Sequence, residues 1–183
     1  MDVFSFINAA DTGGSPFVKL QDGDTIQLRI ISQPLCGFEQ FADGRPYRWP
    51  HDQSRPEGTP KSDERAKPFL AFIVYVYGEQ GGIKIWSVSQ QSIIKQMEVL
   101  YNGGDDHWST YVLTIRRKGS GLDTQYTLAG TQVPLEDALI SFATQAKEYV
   151  DLSALFVNDS PIIQPLPDIS VERKKPDTND LPF

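Results

Sequence analysis

Alternation of apolar and polar residues predicts β-strands over much of the chain. Residues 24–33 alternate regularly, as expected for a strand that buries one face. Residues 36–49 form two aromatic-bearing halves around an Asp-Gly turn, which predicts a hairpin. Because Pro46 lacks a backbone donor, its half of the hairpin is expected at a sheet edge or bulge. Residues 69–77 are strongly strand-forming and precede a glycine-containing turn and a return strand at residues 83–88.

The second half of the chain adds a third hairpin and two amphipathic helices. A glycine-containing turn separates residues 111–117 from residues 123–129, and both segments are expected to be strands. Apolar residues recur at helical spacing in residues 89–102 and again in residues 133–150. The sequence therefore predicts one helix between hairpins and another after them.

These elements predict a mainly β fold with one or two α-helices. Twisted hairpins with a helix between two of them are typical of a small, partly open β-barrel of the oligonucleotide-binding (OB) type, and an α+β sandwich is the competing architecture. We assign the barrel domain to residues 1–156. From residue 157 the chain is proline-rich and loses periodicity, so residues 157–183 are predicted to form a disordered tail. Residues 50–67 are polar with three prolines and are predicted to be a mobile loop, which at this length often carries function.

Alternation within residues 69–77 divides the side chains between two faces. Four apolar positions are assigned to the core: Leu70, Phe72, Val74 and Val76. The intervening positions are expected on the opposite face: Phe69, Ala71, Ile73, Tyr75 and Tyr77. Tyr75 and Tyr77 are then expected to point outward or to the rim.

Charge is distributed unevenly along the chain. The formal net charge of −7 argues against indiscriminate binding to nucleic acid. Residues 27–118 nevertheless hold twelve bases and ten acids, together with most of the aromatic residues. Residues 1–26, 119–156 and 157–183 carry net charges of −3, −4 and −2. Since local patches govern contact with a phosphate backbone, binding is expected in the middle segment.

The sequence contains no recognisable catalytic motif. It lacks a glycine-rich phosphate loop, a nucleophile elbow and a paired-histidine metal motif, so we predict a protein that is not an enzyme and needs no cofactor. Cys36 is the only cysteine, and His51 and His107 are the only histidines, so neither an internal disulfide nor a zinc site is expected. No run is long enough to span a membrane and no basic signal region precedes the domain, which indicates a cytoplasmic protein.

Aromatic and basic residues are interleaved along the predicted hairpins. Binding of single-stranded nucleic acid needs this mixture, because unpaired bases stack on aromatic rings while lysine and arginine track the phosphates. A barrel must also fill its interior, so many of these rings belong to the core. The residues selected as contacts to DNA are Arg45, Tyr47, Arg48, Trp49, Lys67, Phe69, Tyr75, Tyr77, Lys84, Trp86, Arg116, Arg117 and Lys118.

A neighbouring basic residue favours a DNA-binding role for three of these aromatic residues. Arg48 stands between Tyr47 and Trp49, and Lys84 stands close to Trp86. The run of three basic residues at 116–118 is equally consistent with a solvated turn and with phosphate contact.

Residues 68–130 resemble bacteriophage single-stranded DNA-binding proteins. The most specific pieces are IKIWSVSQQSI, a return strand leading into a helix, and GLDTQYT, which follows the strand YVLTIRR. The resemblance covers roughly a third of the chain, with weaker support from residues 17–49. It implies an OB barrel that binds single-stranded DNA without strong sequence preference and protects and organises it in replication, recombination and repair. Some phage relatives carry a zinc site, and this chain lacks its ligands.

The C-terminal sequence NDLPF resembles the tip of bacterial single-stranded DNA-binding proteins. In those proteins, acids followed by Leu or Ile and then Pro-Phe dock replication and repair enzymes. The resemblance implies a partner-binding hook formed by Asp180, Leu181, Pro182 and Phe183. Bases at residues 173–175 interrupt the otherwise acidic tail, which argues against inhibition of DNA binding by the tail.

Two other functions are consistent with the same sequence. An OB-type barrel that holds protein in place of DNA would be an interaction module. A nuclease would need loop carboxylates such as Asp105 and Asp106, which are more simply explained as a polar loop after a helix. Stacking and phosphate contacts do not read the sugar, so RNA remains an alternative ligand, and the oligomeric state stays open.

Overall fold

The computed structural model describes residues 15–78, 81–102 and 108–171. Seven strands in this part of the chain form one antiparallel sheet. The strands are β1 Thr25–Ile30, β2 Leu35–Ala42, β3 Arg45–Pro50, β4 Lys67–Val76, β5 Gly82–Val88, β6 Tyr111–Lys118 and β7 Gln125–Gln132. The α-helices are α1 Gln91–Asn102 and α2 Asp137–Tyr149, and short 3₁₀ segments cover Trp108–Thr110, Gly121–Asp123 and Leu152–Val157.

The sheet is open. Its order is β3-β2-β4-β1-β6-β7, and β5 pairs with β4. Because β5 pairs with residues 70–76 of β4, β2 and β1 share the other edge of β4, along residues 67–71 and 74–76. β3 and β7 are therefore the two ends of the path. The mainly β fold and its three hairpins are confirmed. An OB-type barrel is not confirmed, since the sheet does not close.

Strand β4 is buried on both faces. Phe72 and Val74 belong to an apolar cluster with residues of α1, whereas Ile73 and Tyr75 belong to a second cluster with residues of α2. The prediction that Tyr75 points outward or to the rim is therefore wrong. The continuous apolar run of β4, more than the alternation within it, is the pattern of a strand that is covered on both sides.

Each predicted helix covers one face of the sheet. Helix α1 buries Ile93 and Met97 in the first cluster. Helix α2 buries Leu139, Phe142 and Ala146 in the second, as their spacing predicted. Among the residues the structure describes, no helix is both long and apolar enough to cross a membrane.

The β2–β3 hairpin lies at the end of the sheet. Asp43 and Gly44 form its turn with φ angles of 51° and 76°, the left-handed conformation that tight hairpin turns require. Pro46 therefore lies on an edge strand, as predicted. Residues 51–66 form no helix or strand and run beside this hairpin, where Gln40 Nε2 donates a hydrogen bond of 2.7 Å to the carbonyl of Glu64.

The chain beyond Val157 stays in contact with the domain. The Asp151 amide donates to the Pro161 carbonyl and the Ile163 amide donates to the Tyr149 carbonyl, both at 2.8 Å. Further residues of this segment pack against the cluster under α2: Ile162, Leu166, Ile169 and Val171. A disordered tail beginning at residue 157 is thus a wrong prediction for residues 157–171, because apolar residues between the prolines dock on the domain. Residues 172–183 lie outside the described part of the chain.

Candidate nucleic-acid interface

Most of the residues selected from the sequence fall into three groups in the structure. One group lies on β3, at the end of the sheet. A second group, of aromatic residues on and after β4 and on β5, is packed into the apolar clusters. The third lies at the end of β6. Lys67 and Lys84 belong to none of these groups: Lys67 is exposed at the start of β4 and Lys84 is half-buried on β5.

Four of the selected aromatic rings are buried. Their exposed fractions are 0% for Phe69, 3% for Trp86, 5% for Trp49 and 6% for Tyr75. Trp86 packs on Phe72 and Trp49 packs on Phe38, with ring centroids 6.0 Å apart in each pair. Because a base stacks only on an open ring face, these four rings are not stacking platforms in this conformation, and that part of the prediction is corrected.

Tyr77 belongs to a buried charged cluster that ties α2 to the sheet. Its hydroxyl donates a hydrogen bond of 2.8 Å to Glu136 Oε1, at the start of α2. Glu136 Oε2 lies 3.4 Å from Nη1 of the fully buried Arg29, close enough for an ion pair but not aligned as a hydrogen bond. Arg29 Nη2 donates to the carbonyl of Val133 at 2.8 Å. Tyr77 is therefore half-buried by a structural contact.

Arg45 and Tyr47 form an open pair on edge strand β3. Arg45 Nε donates a hydrogen bond of 3.0 Å to the Tyr47 hydroxyl, and its guanidinium carbon lies 5.4 Å from the ring centroid. The two residues are two positions apart on a strand and so share a face. Arg45 is exposed and Tyr47 is half-buried, so a cation and an aromatic ring face solvent together.

A small pocket adjoins this pair along the edge of β3. Its volume is about 260 Å³, somewhat below the range of about 300–1,000 Å³ that is usual for small-molecule sites. It therefore suits one flat ring better than a larger ligand. The residues that line it are Tyr47, Arg48, Trp49, Pro56, Glu57, Gly58, Thr59, Phe156, Val157 and Asn158. Residues 56–59 belong to the loop at residues 50–67, which was expected to carry function because of its length.

Phe156 reaches this pocket because β2 carries a glycine. A Cβ atom on Gly37 would lie 2.8 Å from the Phe156 ring and 2.4 Å from the Trp49 carbonyl oxygen, so any other residue would displace both. Asn158 Nδ2 then donates to the Pro46 carbonyl at 2.9 Å. Phe156 and Asn158 were not predicted from the sequence, and the one local signal for their approach to β3 was a glycine inside a strand.

Arg48 is committed to an ion pair within the hairpin. Its Nε and Nη2 both lie 2.7 Å from Glu39 Oε2, and the two side chains are 15% and 7% exposed. Its guanidinium also lies over the Phe69 ring, 4.8 Å from the centroid. Because Glu39 neutralises the charge, Arg48 holds β3 against β2 and β4 and is not a free cation for phosphate. Lys67, which is opposite Glu39 in the register with β2, is exposed.

The basic run on β6 divides between the two faces of the sheet. Arg116 and Lys118 are exposed and lie on one face, opposite Thr127 and Gln125 of β7. Arg117 turns to the other face, donates to the carbonyl of Leu20 and lies 6.0 Å from the Tyr126 ring centroid. Only Arg116 and Lys118 are therefore available to a phosphate backbone. Lys84 is half-buried on β5, opposite Val74.

Comparison with protein-family models, with characterised proteins and with solved structures gives no match. Asp105 and Asp106, considered for a nuclease, and the tip at residues 180–183 lie outside the residues that the structure describes. Within residues 15–78, 81–102 and 108–171, no three His, Cys, Asp or Glu side chains are grouped so that they could hold a metal ion.

Proposed function

We propose that this protein binds single-stranded DNA, without strong sequence preference, at the β3 end of its sheet. Support comes above all from the Arg45–Tyr47 pair, a half-buried ring and an exposed cation on one face, directly beside a pocket with space for one flat ring. Single-strand binding needs both features at once, because each nucleotide brings an apolar ring and a negative charge.

In this proposal one unpaired base stacks on Tyr47 at the mouth of the pocket, and Arg45 contacts a neighbouring phosphate. Exposed Lys67 on β4 and exposed Arg116 and Lys118 on β6 supply further cations for the backbone. Stacking discriminates little between bases, which explains weak sequence preference. A duplex keeps its bases stacked on one another and offers no free ring face to Tyr47, so single strands are preferred.

The resemblance of residues 68–130 to phage single-stranded DNA-binding proteins supports a role in protecting and organising DNA during replication and recombination. We extend the proposal to the C-terminal tip, Asp180 to Phe183, as the segment that recruits partner enzymes. Tip and domain should then act separately, so we expect removal of residues 180–183 to abolish capture of partners and to leave affinity for DNA unchanged.

Titration of the full chain with fluorescently labelled oligo-dT, and with duplex of equal length, tests the proposal at two salt concentrations. We expect affinity for oligo-dT to exceed that for duplex and to fall steeply with salt, since each phosphate contact on a single strand contributes a slope of about −0.7 in log K against log salt. Equal affinity for duplex, or affinity that is flat in salt, contradicts the proposal.

The outer edge of β3, where Asn158 already donates to the Pro46 carbonyl, supports one other function. An exposed strand edge can accept an extended peptide as an additional strand, which is a common mode of protein recognition. This would make the protein an interaction module. No binding to either oligonucleotide, together with capture of a peptide ligand, would select it.

A further inference from the structure

A second, larger groove lies between α2 and the connection from β1 to β2. Its volume is about 850 Å³, and it shares no lining residue with the β3 pocket, so the proposed DNA site does not account for it. Contiguous apolar surface left open by a folded domain marks a site of docking. The walls of this groove are mainly apolar, formed by Ile30, Ile31, Leu35, Ile73, Leu135 and Leu152 among others.

The tip of the β6–β7 hairpin presents a leucine to solvent. Leu122, in the 3₁₀ segment Gly121–Asp123, is fully exposed. The Gly119 amide anchors this turn by donating a hydrogen bond of 2.6 Å to Asp22 Oδ1. Gly119 has a φ of 86°, and a Cβ atom there would lie 2.4 Å from the Asp123 carbonyl oxygen, so the turn depends on this glycine. Because the turn is ordered before any contact forms, little conformational entropy is lost when the leucine is buried.

The leucine and the groove lie at opposite ends of β1. Thr25, the first residue of β1, pairs with Arg116 near the tip, whereas Ile30 and Ile31 at the other end line the groove. The six residues of β1 span about 20 Å at a rise of about 3.3 Å per residue. Leu122 therefore does not reach the groove of its own molecule, and any contact between the two surfaces joins two copies of the chain.

Exposed charges beside the two surfaces are complementary. Asp123 follows Leu122, and Lys118 ends the strand that leads into the turn. At the groove, Lys147 and Asp151 are lining residues and both are exposed. Each surface therefore carries one cation and one anion beside its apolar part. Asp123 is the partner expected for Lys147, and complementary charges of this kind fix the orientation in which two surfaces meet.

We propose that this groove binds the β6–β7 tip of a second copy of the chain, with Leu122 as the buried anchor. The apolar walls and the exposed leucine both leave water when they meet, which favours association. The groove has more volume than one leucine needs, so part of the turn enters with it. The contact joins two different surfaces, so one copy contributes the tip and the other the groove. This self-association goes beyond the proposed DNA binding and does not rest on it.

Sedimentation of the full chain over a range of concentrations, without DNA, tests this assignment. We expect the average mass to rise above that of one chain as concentration increases. Leu122→Ser removes the anchor and Ala143→Trp fills the groove, so each should raise the apparent dissociation constant at least about ten-fold. Val99→Ser is the matched control, because Val99 is 72% exposed on α1 and belongs to neither surface. A chain that stays monomeric at every concentration, or an equal loss in the control, overturns the proposal.

Mixing the two variants is a stricter test. The Ala143→Trp chain keeps an intact tip and the Leu122→Ser chain keeps an open groove. An equimolar mixture should therefore form heterodimers at concentrations where each variant alone is monomeric. A mixture of two folded variants that stays monomeric overturns the proposal. So does association of the Leu122→Ser chain with unchanged affinity, because the copies would then meet through another surface.

A charge exchange keeps the proposal falsifiable if Ala143→Trp is poorly folded. Asp123 and Lys147 are exposed, so their substitution should leave the fold intact. Asp123→Lys and Lys147→Asp should each weaken association several-fold, and the double variant should recover it, since opposite charges again meet across the contact. Losses in the single variants without recovery in the double variant overturn the assigned contact. None of these measurements uses DNA, so their failure leaves the proposed function untouched.

Discussion

Strands β3 and β4 carry similar mixtures of aromatic and basic residues, yet the structure gives them opposite environments. Strand β4 pairs with β1, β2 and β5, and α1 and α2 cover its two faces. Among the described strands, β3 pairs only with β2 and ends the sheet. As a result, Phe69 and Tyr75 of β4 are buried, whereas Tyr47 of β3 keeps part of its ring open. Exposure of a ring depends on what covers its strand. The continuous apolar run of β4 indicates that cover, whereas the mixture of aromatic and basic residues does not.

The two strands also show which neighbours act together. Arg48 is adjacent to Trp49 in sequence, but adjacent residues of a strand point to opposite faces, and Arg48 instead contacts Glu39 and Phe69. Arg45 and Tyr47, two positions apart, do contact each other. Spacing of two on an edge strand is therefore a better predictor of a combined ring-and-cation site than direct adjacency.

The largest expected effect of a single substitution is on the core around β4. Trp86→Ala should lower the free energy of unfolding by about 3–5 kcal/mol, because it empties a buried site next to Phe72. Urea denaturation followed by circular dichroism measures this. Phe41→Ala is the matched control, since Phe41 is 43% exposed and its substitution should cost within about 0.5 kcal/mol. A Trp86→Ala protein of native stability that no longer bound DNA would show that Trp86 is a contact and not core.

The next effect concerns the charged cluster that holds α2 on the sheet. Arg29→Met should destabilise by about 3 kcal/mol or more, because Glu136 would remain buried with Tyr77 as its hydrogen-bond partner. Replacing both, Arg29→Met with Glu136→Leu, should cost less than the sum of the single changes, since no charge is then left uncompensated. If the two single changes destabilised the protein additively in this double-mutant cycle, the ion pair between Arg29 and Glu136 at 3.4 Å would contribute nothing to stability.

The sequence was sufficient for local elements and insufficient for what depends on distant contacts. Turn residues and periodicity located the three hairpins and both helices, and Pro46 indicated an edge strand. Whether β3 and β7 meet to close a barrel depends on curvature accumulated over the whole sheet, which no segment reveals. Packing of residues 158–171 was missed because proline-rich composition was taken as disorder, although isoleucine and leucine recur among the prolines.

The candidate site divides in the same way. Arg45 and Tyr47 were selected from their own strand, and the structure leaves both accessible. Phe156 was not selected, because it meets β3 only through the gap at Gly37, more than one hundred residues away in sequence. Arg29, a polar residue between two apolar positions of β1, is buried by an ion pair that the sequence does not reveal.

Substitutions on β3 should have a smaller effect than those on β4, and it should concern affinity for DNA and not folding. Tyr47→Ala should weaken affinity for oligo-dT by about 1–3 kcal/mol, roughly 5- to 150-fold, the usual contribution of one stacked base. Tyr47→Phe keeps the ring and should retain most of the affinity. Phe41→Ala again serves as the control, since Phe41 faces away from Tyr47 on the same hairpin and should leave affinity unchanged. Equal losses for Tyr47→Ala and Phe41→Ala would remove the β3 pocket from the interface.

The smallest effect tests whether the exposed face of β6 belongs to the interface at all. Arg116→Ala and Lys118→Ala should each reduce the slope of log affinity against log salt by about 0.7, with a modest loss of affinity, because each removes one phosphate contact. Arg117→Ala is the matched control: it removes the hydrogen bond to Leu20 and the contact with Tyr126, so stability should fall while the slope stays constant. If all three changes reduced the slope equally, DNA would sense charge near β6 without regard to face. If none of the three changes reduced the slope, the single-stranded DNA would stay near β3, and its path would be set by Arg45, Tyr47 and Lys67.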